Sequence, residues 1–437
     1  MESNHYPLKP RHYEAIPDLV EEDERDISPE AMKRRCLGIS ILEEYMAVPS
    51  NPQLMPSTDG ILQALVFTIP AYAFRGEHNP IRKVYQDLLL KLPAHTSFYI
   101  LAHEQITEEL TDWLRIHNLL QRTTLHAVPE RYEMTIWAED SFELVHNSNN
   151  QALHLVQPHS HRRTSDGNIG YQAAKAFKWS HAKVPLHFEG GNMLVGDDFF
   201  LLGVDHAIDT YRDWSGDLLE SEQAMGNTIA ELYRKYLESN RVLYFVGCAM
   251  QLPAQRTRKF TLHGEEWEEI LYLKNGEGTL QPIFHIDMFI TLAGRNSKGK
   301  YQVVVGDTRS IADTLGHPYQ LALPDAFDEI AETLSRIGFE VVRNPLPLVY
   351  VDDPAKKQRK WYWASYNNAL VEITPEGRKT IWLPTYGHGN WPELKTADEE
   401  NKRIWEELGF NVVMLEDFHP FAENAGAAHC IKKYIRQ

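Results

Sequence analysis

The sequence LSRIGFEVVRNPLP, residues 334–347, follows the same pattern as WEELGFNVVMLED, residues 405–417. In both stretches the end of a predicted helix is followed by glycine, phenylalanine and a strand with β-branched residues. Gly338 and Gly409 suit the left-handed position at which a helix ends, because glycine has no Cβ to clash there. The repetition favours a fold built from repeated helix–strand units over two unrelated domains.

Short apolar strands alternate with amphipathic helices from residue 61 onward, which is typical of an α/β fold. The predicted strands cover residues 62–69, 98–102, 199–204, 242–246, 301–305 and 380–383. The predicted helices cover residues 81–92, 106–117, 222–237, 326–337 and 397–408. Residues 1–59 lack this alternation. We therefore predict an N-terminal extension, residues 1–59, followed by one main domain, residues 60–437.

The charge balance bears on the partners of the protein. The chain has 437 residues, with 61 acidic and 44 basic side chains and a formal net charge of −17. A surface of that sign repels phosphate backbones, so we expect no nucleic-acid partner, and it suits a cationic substrate. The N-terminus lacks a signal-peptide pattern, and no apolar stretch approaches the roughly 20 residues that span a bilayer. We expect a soluble, cytoplasmic protein with no membrane partner.

The three cysteines, Cys36, Cys248 and Cys430, are widely spaced. They form neither a disulfide framework nor a CxxC zinc pair, which indicates a reducing compartment. Cys430 follows the small residues 425–428, and two interpretations are open: a buried apolar thiol, or a thiol that small neighbours leave accessible to a ligand. His429 is adjacent, but neighbouring strand residues point to opposite faces, so it is not the predicted base.

His285 and Asp287 lie in the apolar run IFHIDMFITLAG, residues 283–294, which predicts a buried strand. Alternation would place both polar side chains on one face of that strand. They could form a satisfied core pair, but an unpaired buried carboxylate is costly and a cationic ligand would relieve it, which favours a functional role. Glu189 precedes two glycines, which permit either a close approach of the backbone or a simple turn.

Four motifs occur in one chain order: WAED (137–140), FEGGN (188–192), HID (285–287) and GAAHC (426–430). In that order the sequence resembles the guanidino-group-modifying enzymes of the pentein superfamily, which include arginine, agmatine and peptidylarginine deiminases and the amidinotransferases. The segments SYNNAL (365–370) and WLPTYG (382–387) are similar to two further strands of agmatine deiminases. The resemblance covers the chain from residue 61 onward.

The resemblance implies a fold and a reaction. The fold would be an α/β propeller with pseudo-fivefold ββαβ repeats, so that residues 60–437 form the pentein catalytic domain. The reaction would be hydrolysis of the guanidino group of agmatine, arginine or peptidyl-arginine to a ureido product and ammonia, through a thiouronium intermediate on Cys430. The partner would be a small-molecule guanidine or the arginine side chain of a peptide. No cofactor and no metal are implied, and a homo-oligomer is compatible with the family.

The resemblance also implies a role for each residue of the site. Cys430 would attack the guanidinium carbon as a thiolate, the reactive form of the thiol. His285 would protonate the departing amine and then activate water, and Glu189 would orient His285. Carboxylates suit the planar guanidinium because they accept two parallel hydrogen bonds from it. The substrate-binding residues implied are Asp140, Asp287, Trp137, Asn192 and Asn368.

Several alternatives stay open. An amidinotransferase would pass the same covalent intermediate to an amine, and a non-catalytic pentein scaffold would keep only the fold. A zinc hydrolase could use His187, His206 and His285, although no HxxxH spacing is present. The substrate also stays open, because agmatine deiminases usually carry Arg-Asp-Gly-Pro where this chain has EDSF at 139–142. The polar loop 157–167 is either a lid or solvated surface.

Overall fold

The fold is that of a computed structural model describing residues 6–17, 38, 48–158, 161, 163–215, 222–316 and 319–436. Its contacts divide the chain into two compact units. Unit 1 comprises Met1–Pro17, Arg75–Leu92 and Gly247–His429, and unit 2 comprises Asp18–Phe74, Pro93–Val246 and Cys430–Gln437. Cys36 lies outside the described residues. The domain boundary at residue 60 stays a prediction.

Each predicted strand coincides with an observed strand, within one or two residues at either end. The strands are β1 Pro52–Leu54, β2 Leu62–Ile69, β3 Ser97–His103, β4 Thr123–Val128, β5 Glu143–Asn147, β6 Leu153–Pro158, β7 Ser180–Val184, β8 Met193–Val195, β9 Phe199–Gly203, β10 Val242–Val246, β11 Arg256–Leu262, β12 Glu265–Leu271, β13 Ile290–Arg295, β14 Tyr301–Asp307, β15 Glu340–Pro345, β16 Leu348–Asp353, β17 Gln358–Trp363, β18 Leu370–Ile373, β19 Lys379–Thr385, β20 Asn411–Asp417 and β21 Lys432–Arg436.

The predicted helices are observed as well, and local signals in the sequence set their ends. The helices are α1 Ala71–Phe74, α2 Pro80–Lys91, α3 Glu104–Ile116, α4 Thr164–Phe177, α5 Val204–Ser215, α6 Glu222–Tyr236, α7 Ala312–Leu315, α8 Pro324–Arg336, α9 Lys395–Glu407 and α10 His419–Ala422. Short 3-10 helices cover Leu120–Arg122, Gly190–Asn192, Ile286–Met288, Tyr319–Ala322 and Pro392–Leu394. Helix α2 begins at Pro80 because Asn79 Oδ1 accepts hydrogen bonds from the amides of Ile81 (2.9 Å) and Arg82 (3.4 Å).

Within the described part of the chain, the strands form six small sheets, three in each unit. In unit 2 the strand orders are β1-β5-β6-β7, β10-β9-β8 and β21-β2-β3-β4. In unit 1 they are β11-β12-β17-β16, β13-β14-β15 and β18-β19-β20. The fold is therefore a mixed α/β fold in which many short sheets replace one continuous sheet.

One pattern recurs in five of the six sheets seen over the described residues. An antiparallel pair is followed by a helical connection and a third strand parallel to the second: β5-β6-β7, β8-β9-β10, β13-β14-β15, β18-β19-β20 and β21-β2-β3. This is the ββαβ unit expected from the family resemblance. The closed propeller arrangement of these units stays a prediction.

The two quoted copies, residues 334–347 and 405–417, end their helices in the same way. Gly338 (φ 118°) and Gly409 (φ 85°) both adopt the left-handed region. The amide of the phenylalanine that follows each glycine reaches back to the helix, Phe339 to Leu334 O at 3.1 Å and Phe410 to Trp405 O at 3.0 Å. Each is the 6→1 hydrogen bond by which a helix ends at a left-handed glycine, which confirms the prediction.

The segment 283–294 differs from its prediction as one continuous buried strand. Ile286–Met288 forms a 3-10 turn, and strand β13 begins only at Ile290, where pairing with β14 starts. The amide of Phe289 bonds to Ile286 O (3.1 Å), so the backbone groups of the turn are satisfied locally. Apolar side chains bury this segment as they would a strand, and periodicity alone does not separate the two.

Unit 2 has an apolar core under the strand that follows Cys430. Val66 of β2, Leu101 of β3, Leu155 of β6, Ala173 of α4 and Ile435 of β21 belong to one cluster of buried side chains. Each fully buried aliphatic side chain contributes about 1.5–3 kcal/mol relative to exposure. This packing fixes β21 against β2 and thereby fixes the chain immediately after Cys430.

The N-terminal segment 6–17 is ordered on the surface of unit 1. Its backbone pairs with β16, because the Asp352 amide donates to Lys9 O (2.8 Å) and the Arg11 amide donates to Asp352 O (3.0 Å). The Tyr6 ring meets the Trp361 ring edge-on at 5.5 Å.

No helix among the described residues is both long and apolar enough to cross a membrane.

His419, at the start of α10, predicts a pH dependence of stability. Burial lowers the pKa of His419 to about 4, and the neutral ring is satisfied by Tyr362 Oη (2.6 Å) and Tyr386 O (2.8 Å). The unfolded state then binds more protons than the folded state between pH 4 and pH 6.5, so stability falls as the pH falls through this window.

We expect this histidine to remove about 3 kcal/mol of unfolding free energy between pH 6.5 and 4. The measurement is urea unfolding at several pH values, for wild type, His419→Gln and the exposed control His117→Gln. The His419 variant should show a shallower pH dependence than both others. Equal slopes for all three proteins would contradict the assignment.

Candidate active site

Asn368 holds the segment that leads to Cys430 within unit 1. Its Oδ1 atom accepts hydrogen bonds from the amides of Ala427 and His429, both at 2.9 Å. The Asn368 amide donates to Ser365 Oγ (3.2 Å), and that hydroxyl donates to Met288 O (2.6 Å). Asn368, predicted to bind substrate, is therefore placed where it shapes the loop before Cys430 and connects it to the 3-10 turn at 286–288.

The turn at 286–288 carries Asp287 and follows His285. His285 is fully buried, with its ring stacked on Phe284 at 3.9 Å between centroids. The Asp287 Oδ2 atom accepts a 2.8 Å hydrogen bond from His429 Nδ1. Asp287, predicted to bind the substrate cation, thus also holds the side chain of the residue directly before Cys430. His429 has a positioning role that strand alternation did not predict.

The segments 365–370 and 382–387, quoted for their family likeness, form one hydrogen-bonded network. Tyr386 Oη donates to Ser365 O (3.0 Å), and Tyr366 Oη donates to Asp398 Oδ1 (2.6 Å). The amides of Tyr386 and Gly387 both donate to the Asp398 carboxylate at 2.9 Å. Burial raises the pKa of Asp398, and the hydrogen bonds oppose that rise. The network fixes Ser365, on which Asn368 depends.

In unit 2, Cys430 begins the chain segment that runs into β21. Its side chain is buried, with 2% of the residue surface exposed, and its carbonyl accepts a hydrogen bond from the Glu139 amide at 3.1 Å. The Glu139 carboxylate accepts bonds from Lys432 Nζ (2.8 Å) and Lys433 Nζ (3.0 Å). The WAED motif is therefore tied to Cys430 and to the first two residues of β21.

Gly190 of the FEGGN motif shows why a glycine is needed there. A Cβ at Gly190 would lie 2.4 Å from Glu139 O and from Lys433 Nζ. The Gly190 amide donates to Glu139 O at 3.2 Å. The paired glycines were predicted to permit either a close approach of the backbone or a simple turn. Close approach of the backbone is correct for Gly190. This contact places Glu189, itself buried, beside the WAED motif.

Glu139 is expected to be essential for stability because it pairs with two buried lysines. Replacing it with glutamine removes the carboxylate that Lys432 contacts and leaves Lys433 with Glu143 (2.8 Å), and breaking a buried pair costs about 3–5 kcal/mol. We expect Glu139→Gln to lower the free energy of unfolding by about that amount. The measurement is urea unfolding beside Glu266→Gln, whose partner Lys259 is exposed and whose loss should have no measurable effect. Equal stability of the two variants would contradict the pairing.

Asp140 is paired with a guanidinium that belongs to the chain itself. Arg163 Nη2 donates to Asp140 Oδ2 and Arg163 Nε donates to Asp166 Oδ2, both at 2.7 Å. All three side chains are buried, with at most 4% of each exposed. Burial raises the pKa of Asp166 to about 6, and Arg163 opposes that rise. Asp140, predicted to bind a substrate guanidinium, already binds one in this structure.

The loop 157–167 was predicted to be either a lid or solvated surface, and Arg163 shows that part of it is buried. His161 Nε2 donates to Ser141 O (3.1 Å), and Gln157 Nε2 donates to Gly167 O (3.1 Å). Burial lowers the pKa of His161 to about 4. Residues 159, 160 and 162 lie outside the described residues. The interpretation as solvated surface is wrong for Arg163 and His161.

Trp137 and Asn192, the remaining predicted residues of unit 2, belong to the WAED and FEGGN motifs. The Trp137 amide donates to Thr135 Oγ1 (3.2 Å), and Trp137 O accepts from the Asp140 amide (3.2 Å), so WAED forms a tight turn. Asn192 Nδ2 donates to His206 Nδ1 at 3.1 Å. That nitrogen of His206 is thereby used as an acceptor. Asn192 and Trp137 are placed by these bonds, and their contact with substrate stays a prediction.

Arg163 and Lys433 contact residues of the WAED motif, and the sequence did not reveal these contacts. Arg163 lies three residues before Asp166, and this spacing is a signal for an ion pair at the start of a helix. Lys432 and Lys433 are adjacent in β21, and Glu139, to which both donate, lies 293 and 294 residues earlier in the chain. Such long-range pairs leave no local pattern.

No protein-family model matches the chain, and no curated protein matches its sequence. Solved structures do match it. The agmatine deiminase of Enterococcus faecalis is 12% identical with a TM-score of 0.56, and the match covers 90% of this chain and 98% of that chain. The C. jejuni agmatine deiminase is 14% identical with a TM-score of 0.56, covering 89% and 97%. A structure assigned as a peptidyl-arginine deiminase is 15% identical with a TM-score of 0.57, covering 89% and 99%.

Identities this low make the likeness one of fold. It extends over most of both chains in each comparison, 89–90% of this chain and 97–99% of the other. The resemblance drawn from the order of the four motifs is confirmed at the level of the fold, which this chain shares with these deiminase structures.

Proposed function

We propose that the protein is a deiminase that hydrolyses the guanidino group of an arginine-like substrate to a ureido product and ammonia. One observation carries this proposal above the others. The residues around the approach to Cys430 are fixed by hydrogen bonds from motifs that are distant in sequence: Asn368 to the 427–429 backbone, and Asp287 to His429. A buried cysteine that only filled space would not need such a scaffold.

The covalent step is assigned to Cys430. Its sulfur, as thiolate, forms a bond to the central carbon of the guanidinium, and the carbon becomes tetrahedral. The bond from that carbon to one terminal nitrogen then breaks, and the nitrogen leaves as ammonia after receiving a proton. A free thiol is only a few per cent ionised near neutral pH, so the positive charge of the substrate would assist by favouring the thiolate.

The proton transfers are assigned to His285. It protonates the leaving nitrogen, and in the second half it removes a proton from the water that attacks the thiouronium carbon. The carbon–sulfur bond then breaks, which restores the thiol and releases the ureido product. Glu189 would orient the ring of His285. The sum is one guanidinium and one water converted to one ureido group and one ammonium.

Binding of the cation is assigned to Asp140 and Asp287, with Trp137 and Asn192 beside them. Two carboxylates suit a planar group that presents five N–H donors. Asn368 is assigned to holding the loop that carries Cys430. The propeller arrangement of the five repeats, a cytoplasmic location and a homo-oligomeric state remain part of the proposal.

The experiment is a panel of agmatine, free arginine and an arginine-containing peptide, assayed for ammonia and for ureido product. Each substrate is incubated with and without an added amine. Ammonia together with ureido product, without added amine, is the expected result. A product that forms only when an amine is added would indicate an amidinotransferase instead. No product from any guanidine, with a folded protein, would indicate a scaffold.

A further inference from the structure

We propose that Arg163 is an internal competitor for the substrate cation: its guanidinium occupies Asp140 in the unliganded protein and yields this carboxylate when a guanidine binds. The inference rests on the proposed function in one respect, because it takes Asp140 as a carboxylate that receives the substrate. It adds a residue that sets the affinity of the site and that none of the four motifs contains.

Arg163 carries the same chemical group as the proposed substrate. The group on Asp140 is a guanidinium, the same group that the site is proposed to bind. Arg163 Nη2 and Asp140 Oδ2 lie 2.7 Å apart, the distance of a charge-assisted hydrogen bond. A substrate guanidinium bound to the same oxygen would overlap with Arg163. The two cations therefore compete for it.

Arg163 has a second carboxylate partner that it can keep when its Nη2 atom leaves Asp140. Arg163 Nε is bound to Asp166 Oδ2 (2.7 Å), three residues later in the first turn of α4. Asp166 is itself held, because Thr135 Oγ1 donates to its Oδ1 atom at 3.1 Å. A rotation that releases Nη2 leaves the charge of Arg163 paired with Asp166. The exchange then breaks the hydrogen bond to Asp140 and keeps the pair with Asp166, whereas an unpaired buried guanidinium would cost far more.

The share of time that Arg163 occupies Asp140 sets the size of its effect on guanidine affinity. The apparent affinity of a ligand falls in proportion to the fraction of protein in which its site is available. If Arg163 occupies Asp140 most of the time, removal of its charge should tighten the binding of guanidines by about tenfold or more. A neutral ligand of the same shape does not depend on Asp140, so its affinity should change little.

The test uses the full chain with Cys430→Ala, so that binding is measured without turnover. Calorimetry with methylguanidine and with neutral methylurea compares this protein with the same protein carrying Arg163→Gln. The matched control is Arg115→Gln, which removes an exposed arginine of α3 in the same unit. We expect methylguanidine to bind about tenfold more tightly to the Arg163 variant only, and methylurea to be unaffected.

A crystal structure of the Cys430→Ala protein with methylguanidine supplies the second readout, which does not depend on the Arg163 variant folding. The ligand should contact Asp140, with Arg163 moved away from Asp140 and still bound to Asp166. The inference is overturned if Arg163 remains on Asp140 in that complex, if the Arg163 variant binds no more tightly, or if methylguanidine does not bind. Failure of the proposed function looks different: methylguanidine binds and displaces Arg163, yet the native enzyme releases no ammonia from any guanidine.

Discussion

Replacement of Cys430 by serine is expected to abolish ammonia release from a guanidine substrate, by about 10⁴-fold or more in kcat. Serine has nearly the same shape as cysteine, but its hydroxyl is a far weaker nucleophile at neutral pH because so little of it ionises. The side chain of Cys430 is buried, so the exchange of sulfur for oxygen leaves its packing almost unchanged. The loss should therefore appear in activity and not in the thermal midpoint of unfolding.

The matched control is Cys248→Ser. Cys248 is also buried and free, and its sulfur lies 3.5 Å from Leu280 O. This variant should keep full activity, because the proposal gives Cys248 no role. Mass spectrometry of the wild-type protein mixed with substrate and quenched with acid should show an adduct on the peptide that contains Cys430. Full ammonia release by Cys430→Ser would end the proposal of a covalent route.

Replacement of His285 by asparagine should have the second largest effect. General acid–base catalysis contributes about 10²–10⁴-fold, and we expect kcat to fall within that range while the fold is kept. The ring of His285 is buried against Phe284, so an asparagine of smaller size avoids overpacking.

The same experiment separates acid–base catalysis from the zinc alternative. In a zinc hydrolase, a chelator would remove the activity and His187→Asn would be as severe as His285→Asn. In the proposed deiminase, a chelator leaves the activity unchanged and His117→Asn, at an exposed position, serves as the neutral control. Activity of His285→Asn equal to that of wild type would remove His285 from the mechanism.

Most of the fold was predictable because its signals are local. The ends of α8 and α9 followed from Gly338 and Gly409, and the apolar period identified the helices themselves. The ββαβ unit followed from the family resemblance, because strand pairing is decided by residues far apart. The 3-10 turn at 286–288 was missed because a buried turn and a buried strand have the same apolar composition.

The sequence proposes residues for the candidate site, but it does not reveal their contacts. The motifs identified Asp140, Asp287 and Asn368 by type and order. Their partners were not visible in the sequence, because Asp140 meets Arg163 and Asp287 meets His429 only after the chain has folded. Alternation along a strand suggested no role for His429, and the turn geometry around residues 427–430 made that rule inapplicable.

The pairing of β21 with β2 has a consequence for biosynthesis. The strand β21, which follows Cys430, completes a sheet whose other members are β2, β3 and β4, so the whole chain between β4 and β21 is made before this strand exists. Contacts of such long sequence separation form late, since the intervening chain must be ordered first. During translation the emerging protein therefore exposes the unpaired edge of β2, where chaperones or aggregation partners could bind, until the strand that follows Cys430 has been made.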